Sequence, residues 1–241
     1  MEKTVLITGG SRGIGAACVE AFAAAGCRVV FSYLHSQEQA AVLCARWEGR
    51  ALAVQADVAD RDQVTALFRQ AEQAFGPAEV LVNNAGIAQQ KLFTDITPAE
   101  WRRMLAVHLD GPFYCCQAAL PAMIRAKWGR IINISSMWGQ VGGSCEVHYS
   151  AAKAGLIGLT KALAQEEGPS GVTVNCIAPG VVETDMMAGF SAADKQALAE
   201  ETPLCRLGRP EEVAAAAVFL AGDQAAFITG QVLGVNGGLV V

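Results

Sequence analysis

The sequence predicts a single α/β domain, a Rossmann-type doubly wound parallel sheet of about seven strands with helices on both faces. Three observations predict it. Short β-branched runs that are nearly all apolar alternate with alanine-rich helical stretches, the pattern of strands covered on both faces. A glycine-rich turn, TGGSRGIG at residues 8–15, stands between the first such strand and the first helix. The 241 residues are enough for one large core and few for two, and no linker, repeat or low-complexity segment divides them.

In order along the chain, KTVLIT (3–8) is apolar and β-branched and predicts the first strand, and the glycine turn leads into a helix over 13–26. RVVFSY (28–33) predicts the second strand and 37–48 a helix; RALAV (50–54) the third strand and 61–75 a helix; EVLVN (79–83) the fourth strand. Helices follow near 98–109 and 112–127, then a strand at RIINIS (130–135) and a helix over 149–168. VTVNCI (172–177) and QVLGV (231–235) predict the last strands, separated by a helix over 210–222 and a substrate loop at about 180–208. Right-handed crossovers between parallel strands place ligands beyond the strands' carboxyl ends. The chemically suggestive residues fall at such ends or on the helix that follows.

A net charge of −5, with 17% charged and 52% hydrophobic residues, argues against a nucleic-acid or anionic-membrane surface. Eight cysteines are scattered among apolar neighbours without a CxxC pair, and only three histidines accompany them. No metal site is therefore expected, and the cysteines are read as buried free thiols of a reducing compartment. The beginning, MEKTVLITGG, has no basic segment followed by a long apolar stretch, and no apolar run reaches membrane-spanning length. The expectation is a cytoplasmic protein with no membrane partner.

The chemistry is carried by Tyr149 and Lys153 in YSAAK, with Ser136 upstream in INISSMWG. Positions i and i+4 share a helix face, so the Lys153 ammonium can sit beside the Tyr149 phenol. Bringing a tyrosine from about 10 to neutrality takes about 4 kcal/mol. One positive charge at about 4 Å, at an effective dielectric of about 20, supplies that. The expectation is hydride transfer between a nicotinamide and a carbonyl, with Tyr149 as general acid and Ser136 stabilising the developing oxyanion.

At the cofactor end, Gly9, Gly13 and Gly15 form GxxxGxG, and Ser11, Arg12 and Ile14 complete the turn. Glycines let the backbone approach a pyrophosphate that sits at a helix N-terminus. An NAD-binding chain would usually carry an acidic residue at the end of the second strand; here Tyr33 stands there. Arg12 could instead pair with a 2′-phosphate, so NADP(H) is the expected cofactor. The plain alternative for Arg12 is a solvated surface arginine. Asp57 and Val58 could meet the adenine ring, and the small-residue turn of Asn84, Ala85 and Gly86 would let backbone touch the ribose.

With TGGSRGIG, ADV, NNAG, the serine strand, YSAAK and PGVVETDM in that order, the chain resembles the short-chain dehydrogenase/reductase family over essentially its whole length. Its end, FLAGDQAAFITGQVLGVNGG, looks like the 3-oxoacyl-(acyl-carrier-protein) reductase branch. The resemblance implies Tyr149 as acid, Lys153 as ribose ligand and modifier of Tyr149, and Ser136 as donor to the substrate oxygen. It also implies that Pro179, Gly180, Val182 and Thr184 cover the nicotinamide, and that the chain forms a homotetramer. Where the family usually has an asparagine whose backbone holds a relay water, this chain has His108, in VHLDGPF. A backbone role survives that change; a satisfied core histidine is the alternative.

The segment between Ser136 and Tyr149 bears on the substrate, and Trp138, Cys145, Glu146 and His148 are its distinctive members. Together with GIAQQKLFTDIT at 86–97, it resembles bacterial reductases that act on the 5-aminopentanone modification of elongation factor P. Glu146 could read an ammonium there, or it is a solvated or structural carboxylate. An acidic carrier-protein substrate would call for basic residues at the entrance, for which Lys127 and Arg130 are candidates. The segment QEEGPSG at 165–171 has Ser170 where that branch commonly has an arginine. The alternative of another class, a non-catalytic NADP(H)-binding sensor, would have no need of the serine–tyrosine–lysine set.

Overall fold

The computed structural model describes residues 2–241; residue 1, where the predicted domain begins, lies outside them. Seven parallel strands form one sheet in the order β3-β2-β1-β4-β5-β6-β7. In chain order the first elements are β1 (Thr4–Ile7), α1 (Gly13–Ala24), β2 (Arg28–Tyr33), α2 (Gln37–Arg46), β3 (Ala51–Gln55), α3 (Arg61–Phe75) and β4 (Val80–Asn83). Next come α4 (Pro98–Leu105), α5 (Gly111–Ala126), β5 (Gly129–Ile134), α6 (Trp138–Val141) and α7 (Val147–Glu167). The chain ends with β6 (Val172–Pro179), α8 (Ala192–Glu201), α9 (Pro210–Ala221) and β7 (Val232–Val235).

The strands are apolar throughout because side chains of period two feed two cores. Val5, Ile7, Val29, Phe31, Val80 and Val82 pack with α1, α2 and α9 on one face. Leu6, Val30 and Leu81, between them in sequence, pack with α3, α5 and α7 on the other. From β1 the order runs one way to β2 and β3, and from β4 the other way to β7. The reversal lies between β1 and β4, and in open sheets of this kind ligands bind beyond the carboxyl ends at that point.

Two departures from the predicted elements matter for the site. The helices expected at 98–109 and 112–127 are joined through a π-helical turn, Ala106–Asp110, in which the Gly111 N–H donates to Ala106 O. Pro112 has no N–H to give, so the regular ladder loosens just before it. The expected loop at 180–208 contains α8, whose Ser191–Asp194 capping box closes its first turn although it buries no residue. Five cysteines are buried as expected, but Cys44 and Cys145 are half-buried and Cys205 is exposed.

Candidate active site

The glycine turn is built by polar clamps from neighbouring strands. The Gly10 N–H donates to Ser32 O (2.8 Å) and the Gly9 N–H to Ser32 Oγ (3.1 Å), tying the turn to the end of β2. Asn84 Nδ2 donates to Thr8 O and Gly9 O, both at 3.0 Å. Thr8 Oγ1 in turn accepts the N–H groups of Asn84 and Ala85 at 3.0 Å. Gly9 has φ 65°, a backbone state that favours glycine. A Cβ on Gly15 would lie 2.0 Å from Gly9 O, so that position must be glycine by close approach. The first turn of α1 has no side-chain cap and no acidic residue, leaving its N–H groups for an anion.

Other expected cofactor residues gather around this cradle. Ser11 is buried, and Ile14 packs on the core beneath. Arg12 is exposed and its nearest charged partner is Asp185, at 4.0 Å. Tyr33 ends β2 against the core. Asp57 is engaged by Arg103 at 2.9 Å, and Val58 is buried against Gly111, so adenine would meet a pre-occupied carboxylate and a packed side chain. The chain after β6 returns over the glycine turn: a Cβ on Gly13 would touch Thr184 Cγ2 at 3.4 Å. Pro179 O accepts the Met137 N–H, the Gly180 N–H donates to Val235 O, and Val182 bridges Gly208. Gly86 must be small because a Cβ there would meet His108 at 2.7 Å.

Ser136, Tyr149 and Lys153 converge beyond the end of β5. Ser136 Oγ accepts the Trp138 N–H at 3.1 Å and lies close enough to the Tyr149 phenol to favour its ionised form. Ser135 Oγ donates to Lys153 O at 3.0 Å, locking α7 to the strand. The ammonium does lie beside the Tyr149 ring, but a backbone carbonyl holds it and the phenol is not lowered. Lys153 Nζ donates to Ile134 O at 2.6 Å and lies 5.6 Å from the centre of the Tyr149 ring. Burial raises the phenol to about 12, against the opposing effect of Ser136, rather than the lysine lowering it to neutrality. Burial likewise lowers Lys153 to about 8. Beneath them runs a buried chain that the sequence did not mark: Asn83 Nδ2 to Asn133 Oδ1, Asn133 Nδ2 to Thr160 Oγ1, and Thr160 Oγ1 to Leu156 O, each 2.8 Å.

His108 sits in the π-helical turn, buried, with its ring edge-on to Tyr149 at 5.0 Å. Its Nε2 lies 3.0 Å from Ile87 N and 2.8 Å from Ile87 O, while its Nδ1 has no partner. It is thus a half-satisfied core histidine, held neutral well below the usual range mainly by burial.

The three expected substrate residues divide. Trp138 packs its indole against Gly143. Glu146 is half-buried, 3.4 Å from Gln90 Nε2, and burial raises its carboxyl. His148 does not line the cleft as an accessible group: it is fully buried and bonds Gln89 Oε1 at 2.9 Å. A cleft of about 590 Å³ opens beside them between Gln90 and the stretch Gly189, Phe190, Asp194, Ala197 and Leu198.

The candidate carrier-docking residues are also corrected. Lys127 and Arg130 stand at the amino end of β5, about 20 Å of extended chain from Ser136, so within one chain they cannot flank the entrance. Arg130 is buried, its guanidinium 4.4 Å from the Trp128 ring. Residues 165–171 precede β6 at that same end. Among the described residues, no helix is long and apolar enough to cross a membrane, and no group of three or more His, Cys, Asp or Glu side chains could hold a metal.

A family model described as enoyl-(acyl carrier protein) reductase matches residues 9–240. The 3-oxoacyl-(acyl-carrier-protein) reductase FabG of Staphylococcus aureus is 40% identical over 242 residues, covering 99% of this chain and 98% of that protein. The 3-oxoacyl-(acyl-carrier-protein) reductase of Synechocystis is 43% identical over 243 residues, covering 99% and 97%. An uncharacterized oxidoreductase of Bacillus subtilis, YmfI, is 41% identical over 242 residues and 99% of both chains. The match spans the glycine turn, the Ser136–Tyr149–Lys153 cluster and the segment after β6 alike, and so the chain belongs to the short-chain dehydrogenase/reductase family and is an oxidoreductase acting on ketone or hydroxyl groups.

Proposed function

We propose that the protein is an NADPH-dependent ketone reductase of the 3-oxoacyl-(acyl-carrier-protein) reductase type. The observation that carries this reading is that Ser136 at the end of β5 and Tyr149 and Lys153 on α7, with Lys153 Nζ on Ile134 O, lie on the same carboxyl side of the parallel sheet as the glycine cradle after β1. The cradle fits a dinucleotide: the crowding at Gly15 leaves room for backbone alone, and the first turn of α1 is uncapped. Arg12 would take a 2′-phosphate, Asn84–Gly86 the ribose, and Pro179–Thr184 the nicotinamide, with Asp57 and Val58 near the adenine. When bound, the nicotinamide supplies a hydride to the carbonyl carbon. Tyr149 gives its proton to the carbonyl oxygen, Ser136 donates a hydrogen bond to it, and Lys153 holds positive charge behind the phenol.

A second reading, reduction of an aminoketone such as the 5-aminopentanone modification of elongation factor P, has one observation in its favour. Glu146 is half-buried, close enough to Tyr149 to raise its phenol, and has no cationic partner among the described residues. A substrate ammonium would relieve that cost. The test is one purified sample assayed with a short 3-oxoacyl thioester, a neutral ketone and an amino-ketone. Turnover led by the thioester supports the first reading. An amino-ketone preference that Glu146→Gln removes, with a loss of about 1–3 kcal/mol in kcat/KM, supports the second. Equal effects of Glu146→Gln on neutral and charged ketones would make the carboxylate structural. The exposed Phe113, Phe219, Phe227 and Leu233 favour a closed assembly, read here as a homotetramer; a monomer in light scattering would refute it. Cysteines that are mostly buried suit a reducing compartment, the cytoplasm.

A further inference from the structure

The first turn of α7 carries Tyr149, yet the helix has no local cap. Glu146, at the N-cap position, makes no side-chain bond to the turn, no acidic residue occupies it, and Cys145 just before has φ 61°. A helix end with free N–H groups frays, and a general acid on its third residue would move with it.

The Gly143 N–H, which donates to Ser150 Oγ at 3.0 Å, ties the turn from one side, and the loop after β4 holds it from the other. Gln89, Gln90 and Lys91, three consecutive residues, close onto His148, Glu146 and Cys145. Gln89 Oε1 lies 2.9 Å from His148 Nε2, Gln90 Nε2 3.4 Å from Glu146 Oε1, and the Lys91 N–H donates to Cys145 O at 2.8 Å. The strap is anchored in turn on Glu100. That carboxylate accepts Gln89 Nε2 at 2.7 Å, Lys91 Nζ at 2.8 and 2.9 Å, and the Thr97 N–H and Oγ1 at 2.8 Å. These bonds, the one from Lys91 foremost, hold Glu100 down at about 2, so the anchor stays charged. Because Gln89 gives its Nε2 to Glu100, its Oε1 is the acceptor, and His148 must donate from Nε2. His148 Nδ1 is then a buried acceptor without a partner, so the Gln89 bond is the one polar contact described for the ring.

We propose that Gln89 and His148, backed by Glu100, are positioning residues that fix the first turn of α7 and with it the Tyr149 phenol. The inference rests on the reading of Tyr149 as general acid. It reassigns His148 from substrate contact to support, and it makes the 86–97 loop part of the catalytic apparatus.

The test compares steady-state ketone reduction at saturating NADPH in wild type, His148→Leu, His148→Gln, Gln89→Met and Tyr149→Phe, with NADPH affinity measured in each. His148→Leu and Gln89→Met should lower kcat about tenfold to a hundredfold, the range for a misplaced catalytic group or a lost outer-layer bond. KM and NADPH affinity should stay near wild type. His148→Gln, which keeps a donor, should recover most of kcat. Gln89→Met carries the test alone if His148→Leu does not fold. Wild-type kcat in a folded His148→Leu or Gln89→Met, or equal losses in His148→Leu and His148→Gln, would overturn the strap. Substantial kcat in Tyr149→Phe would instead overturn the reading of the acid.

Discussion

At the scale of single side chains, the proposed cofactor preference rests on two residues and the pH dependence on a third. Arg12 and Tyr33 are the residues expected to set nucleotide preference, and Arg12 is exposed with its Asp185 partner at 4.0 Å. Wild type should therefore show a higher kcat/KM with NADPH than with NADH. Arg12→Ala should narrow the ratio, and Tyr33→Asp should move it toward NADH by supplying a ribose ligand and repelling a 2′-phosphate. A wild-type preference for NADH in paired assays would remove both roles. Lys153 gives the pH dependence. Burial lowers it to about 8, so its ammonium is present below that value and is lost as pH rises through it. Tyr149, raised to about 12, stays protonated across the same range. Reduction should decline as pH rises through about 8, and a rate flat to pH 10 would show that the ammonium is dispensable. At this scale the sequence was legible in identity and not in direction. The four-residue spacing does place Lys153 and Tyr149 on one face of α7, but the carbonyl left at the end of β5 captures Nζ, a contact between segments distant in sequence.

At the scale of elements, the glycine turn is the most sharply defined piece. Thr8, Ser32 and Asn84 clamp it from three strand ends, and Gly15 passes its neighbours without room for a methyl group. Gly15→Ala would force backbone against backbone, an overpacking of about 1–3 kcal/mol. It should abolish NADPH binding, measured by fluorescence titration, before it abolishes folding, measured by circular dichroism; unchanged binding would contradict the account of the cradle. The strands were readable because burial on both faces makes them nearly all apolar, and so was the turn from its glycine spacing. Elements without an apolar stripe were not. Helix α8 buries nothing, and its only signal is the capping box of Ser191 and Asp194. The π-helical turn was hidden behind Asp110-Gly111-Pro112, which reads as a break. Pro112 instead falls where the helix can widen and continue. Thr97 and Glu100 form a capping box legible as TPAE, but its use as anchor of the 89–91 strap depends on the tertiary fold.

For the whole molecule, topology determines which residues can work together. The strand order brings the ends of β1, β4, β5 and β6 to one edge, so the glycine turn, Asn84–Gly86, Ser136 and Pro179–Thr184 lie on the side of the sheet where such folds hold a ligand cleft, although they span most of the chain. The same parallelism sends Lys127 and Arg130 to the opposite edge, which is why a basic pair near the site in sequence is remote from it in space. The central claim is that this cleft reduces a ketone at the expense of NADPH with Tyr149 supplying the proton. The most direct measurement follows NADPH oxidation by wild type and Tyr149→Phe on an activated ketone, with NADPH binding measured in parallel. The account predicts one NADPH consumed per alcohol formed by wild type, and a loss of about 10²–10⁴-fold in Tyr149→Phe with binding retained. NADPH left unconsumed by wild type on every ketone offered, or full turnover by Tyr149→Phe, would contradict it.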